Sequence, residues 1–291
     1  MESSAQQLII NDRYQILELL GSGSMGMVYR VADRQAGTEI ALKRVIPVPT
    51  SVVASAHFTE KADWQALRRE FKMLAALVHP HIVQVMDCGY DQQGHPFYTM
   101  TYLNGRKLLD DGQDQPLSYQ LELLRQVFSA LAYLHERDIL QRDLKPDNIL
   151  VVDGQAKLTD FGLAACEAQF SAAVTNLQGT AAYMAPELLM GEQPAQATDL
   201  YAGGMIAYEL IAGHHPFDVR NMNRMILSIL HEAPDLTALP AEPEGLRHLV
   251  GALLAQKPAQ RPASAAAVVA QLAQLKGMTD ANLSQQSPSS A

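Results

Sequence analysis

From Tyr14 to Leu20 polar and apolar residues alternate, the two-residue period of a strand with one covered face. A glycine-rich run, Gly21-Ser22-Gly23-Ser24-Met25-Gly26, interrupts the pattern, and Val28-Tyr29-Arg30-Val31 resumes it as a second strand. Ala41-Leu42-Lys43 and Phe97-Tyr98-Thr99-Met100 read as further short strands. The period then changes. Trp64 to Leu77 reads as a helix, with Leu67, Phe71, Leu74 and Val78 recurring at three- and four-residue steps, and Pro47 to His57 reads as a loop inserted before it. From Pro116 to Arg137 the residues Leu121, Leu124, Val127, Phe128, Leu131 and Leu134 mark the buried face of a long amphipathic helix.

With 291 residues, 48% of them hydrophobic, the chain can fill one large domain or two lobes with a cleft, and disorder over most of its length is excluded. A formal charge of −9 argues against non-specific binding to nucleic acid or an anionic membrane, both polyanions. Two cysteines, Cys88 and Cys166, are too few for a disulfide framework and fit a reducing compartment. No apolar run reaches the roughly 18 residues that span a bilayer. Met-Glu-Ser-Ser-Ala-Gln-Gln at the start lacks the features of a secretory signal. Met278 to Ala291 is Ser/Gln/Asn-rich and reads as a linker, with room for a partner domain or membrane anchor after it.

The chemistry concentrates between Leu140 and Gly162. That stretch reads Leu-Gln-Arg-Asp-Leu-Lys-Pro-Asp-Asn-Ile-Leu, then nine residues, then Asp-Phe-Gly. One carboxylate there can receive a hydroxyl proton, a carboxylate and an amide can hold Mg²⁺, and a lysine can offset charge on a moving phosphoryl group. In residue type, order and spacing this resembles the eukaryotic-type protein kinases, and the likeness extends over roughly Tyr14 to Leu275. It implies an α+β, bilobal protein-kinase fold. A β-rich N-lobe with one regulatory helix would span about 14–103 and a mainly α-helical C-lobe about 104–275. An N-terminal extension would cover 1–13, and a flexible tail or linker 276–291.

Taken alone, the glycine run could also be a Rossmann fingerprint, but that needs a helix next, and the strand-like Val28 to Val31 favours a hairpin lid. The resemblance assigns Leu20, Gly21, Ser22, Gly23, Ser24, Met25, Gly26 and Val28 to the nucleotide cover. Lys43 reads as a solvated strand-edge lysine or, by resemblance, as the residue that holds the α- and β-phosphates, with Ala41 and Val28 over adenine. Its acidic partner is Glu60 or Glu70. Glu70 is preferred because Arg-Arg-Glu-Phe-Lys-Met-Leu followed by His79-Pro80-His81 keeps the family spacing. Met100 would be the gatekeeper, the Thr101 carbonyl and Leu103 amide would meet the adenine edge, and Leu150 would lie beneath it. His79 and His81 lack a third ligand nearby and read as structural.

In the second lobe the resemblance makes Asp143 the catalytic base and Lys145 the mark of the Ser/Thr class. Asn148 and Asp160 become the Mg²⁺ ligands, with Mn²⁺ as a substitute. Gly179 to Glu187 resembles the substrate-positioning segment and Ala-Pro-Glu end of an activation segment, in which Thr180 would touch Asp143 and Lys145 and Glu187 would pair with Arg261. Asp199 would open the helix that anchors the catalytic loop. Arg142 would meet a phosphorylated activation-segment residue, Thr175 first and Ser171 second. Three positions depart or stand apart: Gln141 replaces the usual His, Thr101 replaces an acidic hinge residue, and Cys166 is redox-sensitive or simply an inert small side chain.

The implied activity is transfer of the ATP γ-phosphoryl to Ser or Thr of proteins, with autophosphorylation in trans by self-association, at a cytoplasmic location or on the cytoplasmic side of a longer anchored chain. The wording resembles bacterial members. Two rivals remain: a nucleotide-binding scaffold without catalysis, and a small-molecule kinase, the latter opposed by Lys145 and the Ala-Pro-Glu segment.

Overall fold

The alternating segments pair into one antiparallel sheet in the computed structural model, which describes residues 9–23, 26–45, 71–160 and 181–286. The strands are β1 (Ile9–Ile10), β2 (Tyr14–Gly23), β3 (Gly26–Asp33), β4 (Thr38–Arg44), β5 (Val85–Tyr90) and β6 (Pro96–Thr101), in the order β1-β2-β3-β4-β6-β5. Together with a helical stretch at 71–75 they form the first of two compact units, which takes in the described residues up to 78 and 83–104. β2 and β3 close as a hairpin, with Gly21 opposite Val28 and Gly23 opposite Gly26. A strand, not a helix, therefore follows the glycine run, which excludes the Rossmann alternative. β4 is paired on both edges, with β3 and β6, and Ile40 to Lys43 are all buried. The core of this unit gathers Ile10, Tyr14, Val31, Ile40, Leu42 and Phe97, with the Tyr14 and Phe97 rings edge to face at 5.6 Å.

The helix expected to run to Leu77 ends earlier. Helical residues stop at 75, and Val78, assigned to the buried face by its spacing, is 74% exposed. His79-Pro80 explains this, since the residue before a proline is pushed out of the helical region. His79 and His81 open the second unit, where the His81 Nδ1 shares a hydrogen bond with the Ala156 carbonyl at 3.0 Å and the His79 ring stacks on Tyr133. Burial pushes both imidazoles below their ordinary pKa.

The second unit is mainly helical: α1 (Leu108–Gly112), α2 (Leu117–His135), α3 (Pro186–Leu189), α4 (Gln196–Ala212), α5 (Met222–His231), α6 (Leu246–Leu253) and α7 (Ala265–Gln286). A small sheet adds β7 (Arg106–Lys107), β8 (Ile149–Val152) and β9 (Gln155–Leu158). Pro116 precedes α2, and the six apolar residues of its sequence-predicted face are all buried. α4 is covered on every side from Thr198 to Tyr208, the mark of a core helix. Its two glycines allow this. A Cβ at Gly203 would sit 2.6 Å from the Phe128 ring, and one at Gly204 2.7 Å from Leu253, so α2 and α6 approach where side chains are missing.

The flexible tail expected from 276 is corrected over its first eleven residues, because α7 continues through Gln286. Polar composition had suggested a linker, but extending an existing helix gains one backbone bond per residue without a new nucleus. Lys276 pairs with Asp280 at 3.3 Å and the Thr279 hydroxyl donates to the Leu275 carbonyl, which supports the added turns.

Candidate active site

The second unit carries the loop that holds Asp143. α2 ends at His135 and β8 begins at Ile149, so the loop is fixed at both ends by buried elements. Before β8 the chain makes one 3₁₀ turn, Pro146–Asn148, with proline at its first position where no N–H is required. That turn brings Asn148 back over Asp143. The Asn148 amide donates to the Asp143 carbonyl at 2.9 Å and to its Oδ2 at 3.0 Å. The Lys145 ammonium reaches the same Oδ2 at 2.7 Å. Side-chain exposures of 16% for Asp143 and 21% for Lys145 leave the pair accessible yet sheltered enough for its charges to matter. With its nitrogen turned toward Asp143, Asn148 has its amide oxygen left as a hard donor for a cation.

A buried carboxylate holds this loop from beneath. Asp199, on the first turn of α4, accepts from the backbone N–H of Gln141 at 2.9 Å and of Arg142 at 3.0 Å, while the His135 Nε2 lies 2.8 Å from its Oδ2. Arg142 takes a left-handed backbone conformation, φ +63°, which a non-glycine residue adopts only when its surroundings compel it. The Gln141 side chain is fully buried and points the other way along the chain. Its Nε2 donates to the Asp160 carbonyl at 3.2 Å and more weakly to that of Thr159 at 3.4 Å. Thr159 in turn donates its N–H to the Asn148 carbonyl at 2.8 Å. Asp143, Lys145, Asn148 and Asp160 thus belong to one hydrogen-bonded assembly.

Glu187 and Arg261 meet in the interior of the same unit. All five guanidinium N–H groups find acceptors: both Glu187 oxygens at 2.6 and 2.8 Å, and the carbonyls of Ala197, Ala255 and Gln256. The Thr198 hydroxyl adds a bond to Glu187. Burial pushes the Glu187 carboxyl up, but the Arg261 bonds outweigh it and hold the group below its ordinary value.

In the first unit Lys43 is 8% exposed and lies opposite Val28 on β3 and Tyr98 on β6. Ala41 faces Met100 across the β4–β6 ladder, and both are buried. Leu20 is exposed near the end of β2, Thr101 is exposed at the end of β6, and Leu103 is half-buried just beyond it. Leu150 is half-buried on β8 in the second unit, and Arg142 is exposed there. Ser24, Met25, Glu60, Glu70, Phe161, Cys166, Ser171, Thr175 and Thr180 lie outside the described residues. Among the described residues no group of three or more His, Cys, Asp or Glu side chains converges as a metal site. Sequence reasoning missed His135. The signal was present, since a polar residue four positions after Leu131 falls on the buried phase of α2.

The family defined as the protein kinase domain matches residues 14–272, and the chain belongs to it. It is 33% identical over 284 residues to a probable serine/threonine-protein kinase, pknA2, of Bifidobacterium longum, covering 94% of this chain and 36% of that one. To the serine/threonine-protein kinase PknA of Mycobacterium tuberculosis it is 32% identical, over 87% of this chain and 58% of the relative. The chain therefore spans between about a third and three-fifths of the length of these curated relatives. Its fold is similar to the crystal structure of Rad53 1-466 in complex with AMP-PNP, with a TM-score of 0.70 and 27% identity over 88% of this chain and 64% of that one. The architecture is the α+β protein-kinase fold, with a β-rich unit and a helical one. No helix among the described residues is long and apolar enough to cross a membrane.

Proposed function

We propose that this chain is a serine/threonine protein kinase domain that transfers the γ-phosphoryl of ATP to hydroxyl groups of proteins, its own activation segment included. The observation that carries the reading is the Asp143–Lys145–Asn148 cluster, where an ammonium and an amide N–H share one carboxylate oxygen. In the reaction the acceptor hydroxyl oxygen forms a bond to phosphorus as the bond to the ADP oxygen breaks, and the hydroxyl proton passes to Asp143. Lys145 offsets charge on the transferring group. Asn148 and Asp160 offer an amide oxygen and a carboxylate, a donor set suited to Mg²⁺, with Mn²⁺ as a substitute. When bound, that ion neutralises phosphate charge.

In the first unit, Lys43 on its buried strand and the glycine hairpin are the groups for the phosphates, with Ala41, Val28, Met100, Thr101 and Leu103 for the base. Arg142, exposed beside the base, is the group for a phosphorylated Thr175 or Ser171. A second copy of the chain serves as one acceptor, and other proteins as the rest.

The test is phosphate transfer from labelled Mg-ATP to the protein itself and to a generic basic protein, with wild type and Asp143→Asn compared. Phosphoserine or phosphothreonine formed by the wild type alone supports the reading. A folded, ATP-binding wild type that labels nothing refutes it and leaves the scaffold alternative.

A further inference from the structure

α4 ends at Ala212, and Gly213 (φ +79°) turns the chain into His214-His215-Pro216-Phe217. His215 then reaches back to a different part of the chain. Its Nε2 lies 2.9 Å from the carbonyl oxygen of Ala182, in the 3₁₀ turn Ala181–Tyr183. Its Nδ1 lies between the N–H and the carbonyl of Phe217, at 3.1 and 3.0 Å. Three protonation forms exist, and two keep the long-range bond. The neutral form with a proton on Nε2 donates to Ala182 and accepts from Phe217. The doubly protonated form donates to Ala182 and to the Phe217 carbonyl. Only the neutral form protonated on Nδ1 would set a lone pair against the Ala182 oxygen. The neighbouring residue is fixed from the same side. The Tyr183 hydroxyl donates to Glu209 on α4 at 2.5 Å, and its ring meets the His215 imidazole edge to face at 5.8 Å. Ala181 and Ala182 are buried, so the turn has little freedom of its own.

We infer that His215 is a positioning residue for the protein acceptor, acting by pinning the Ala182 peptide and so fixing the shape of the Ala181–Tyr183 turn. The inference rests on the proposed kinase reading, in which Gly179 to Glu187 is the segment that receives the acceptor chain. Among the described residues the hydrogen bonds and ring contacts of His215 go to His214, Phe217, Ala182 and Tyr183, none of them in the Asp143 cluster, so its effect is expected in acceptor binding.

Three substitutions separate pinning from packing. His215→Gln places an amide N–H where Nε2 stands. His215→Asn can accept from Phe217 but falls short of Ala182, and His215→Phe keeps the ring without a donor. Steady-state kinetics on a Ser/Thr peptide phosphorylated by wild type would be read alongside thermal melting of each variant. Asn and Phe are expected to raise the peptide KM about three- to tenfold, the size of one hydrogen bond, with the ATP KM within about twofold. Gln should stay close to wild type. Asn and Phe variants with a wild-type peptide KM overturn the inference, as does a parallel rise in both KM values with a lowered melting point, which marks general loosening. A wild type that labels no acceptor overturns the kinase reading itself, and the inference with it.

Discussion

Replacing Arg261 with methionine removes a guanidinium whose five N–H groups are all satisfied, and the consequences can be worked through one by one. The side chain is fully buried, so water cannot take its place. Three carbonyls, of Ala197, Ala255 and Gln256, lose a donor. Glu187 keeps the Thr198 hydroxyl but loses its counter-charge. A buried carboxylate without a partner can escape by taking up a proton. From an ordinary value near 4.3 that costs about 3.7 kcal/mol at pH 7, which caps the charge penalty. Lost hydrogen bonds add to this, while the new methionine regains some apolar burial. The expected loss is about 3–5 kcal/mol, the range for breaking one side of a buried ion pair. For a chain of this size that lowers the melting point by roughly 10 °C.

The pH dependence identifies the cause. In wild type the Glu187 carboxyl is depressed, so its contribution is full above the ordinary glutamate range and fades as pH falls through the depressed value. In Arg261→Met the same carboxyl is raised, so the variant is weakest near neutrality and recovers as protonation becomes cheap. The gap between the two proteins should narrow by at least about 2 kcal/mol between pH 7 and pH 5. Adding Glu187→Gln to Arg261→Met should recover a similar amount at pH 7, because no charge is then left behind. Urea titrations of wild type, Arg261→Met and the double variant measure all of this. A gap below about 1 kcal/mol, or one that does not change with pH, would refute the argument.

Two further outcomes follow from the geometry. Gln141→Leu removes the donor to the Asp160 carbonyl and should raise the Mg²⁺ concentration for half-maximal transfer about fivefold, whereas Gln141→His, with one ring N–H, should remain near wild type; a magnesium titration of both variants checks this. In the first unit Arg13 donates to both oxygens of Asp33 and holds its carboxyl down to about 2. That stabilisation is complete above about pH 4 and lost as pH falls toward 2, so Asp33→Asn, already without it, should show a shallower fall in melting temperature over that window.

How much of this was legible in the chain depends on how local each feature is. The glycine hairpin, the buried lysine strand and the α2 face are periodicities, written within a dozen or so residues, and the described strands and helices follow them. The Val78 position was misplaced because periodicity carries no stop signal, and Pro80 supplies one. The last turns of α7 were missed because a polar sequence suits both a linker and a solvent-facing helix, and the α7 turns already formed favour the helix. What His135 and His215 bind was invisible for another reason. Each works through a partner more than 30 positions away, and no spacing rule joins His215 to a backbone carbonyl at Ala182.

The substitution at Gln141 becomes intelligible once side chain and backbone are separated. Where the loop that carries Asp143 sits is decided by Asp199, which takes the N–H groups of two successive residues and adds His135 as a third neighbour. Those bonds are indifferent to the side chain at 141. What that side chain contributes is a donor directed at the carbonyls of Thr159 and Asp160, and an amide supplies one as an imidazole does. It cannot supply a ring, nor change charge between pH 5 and 8. The chain has therefore kept the connection between the Asp143 loop and Asp160 while giving up a titratable group within it. Under the proposed kinase reading, Gln141→His should match wild type in its magnesium requirement at neutral pH and depart from it as the imidazole protonates at lower pH, and that difference is what the exchange at this position can be asked to explain.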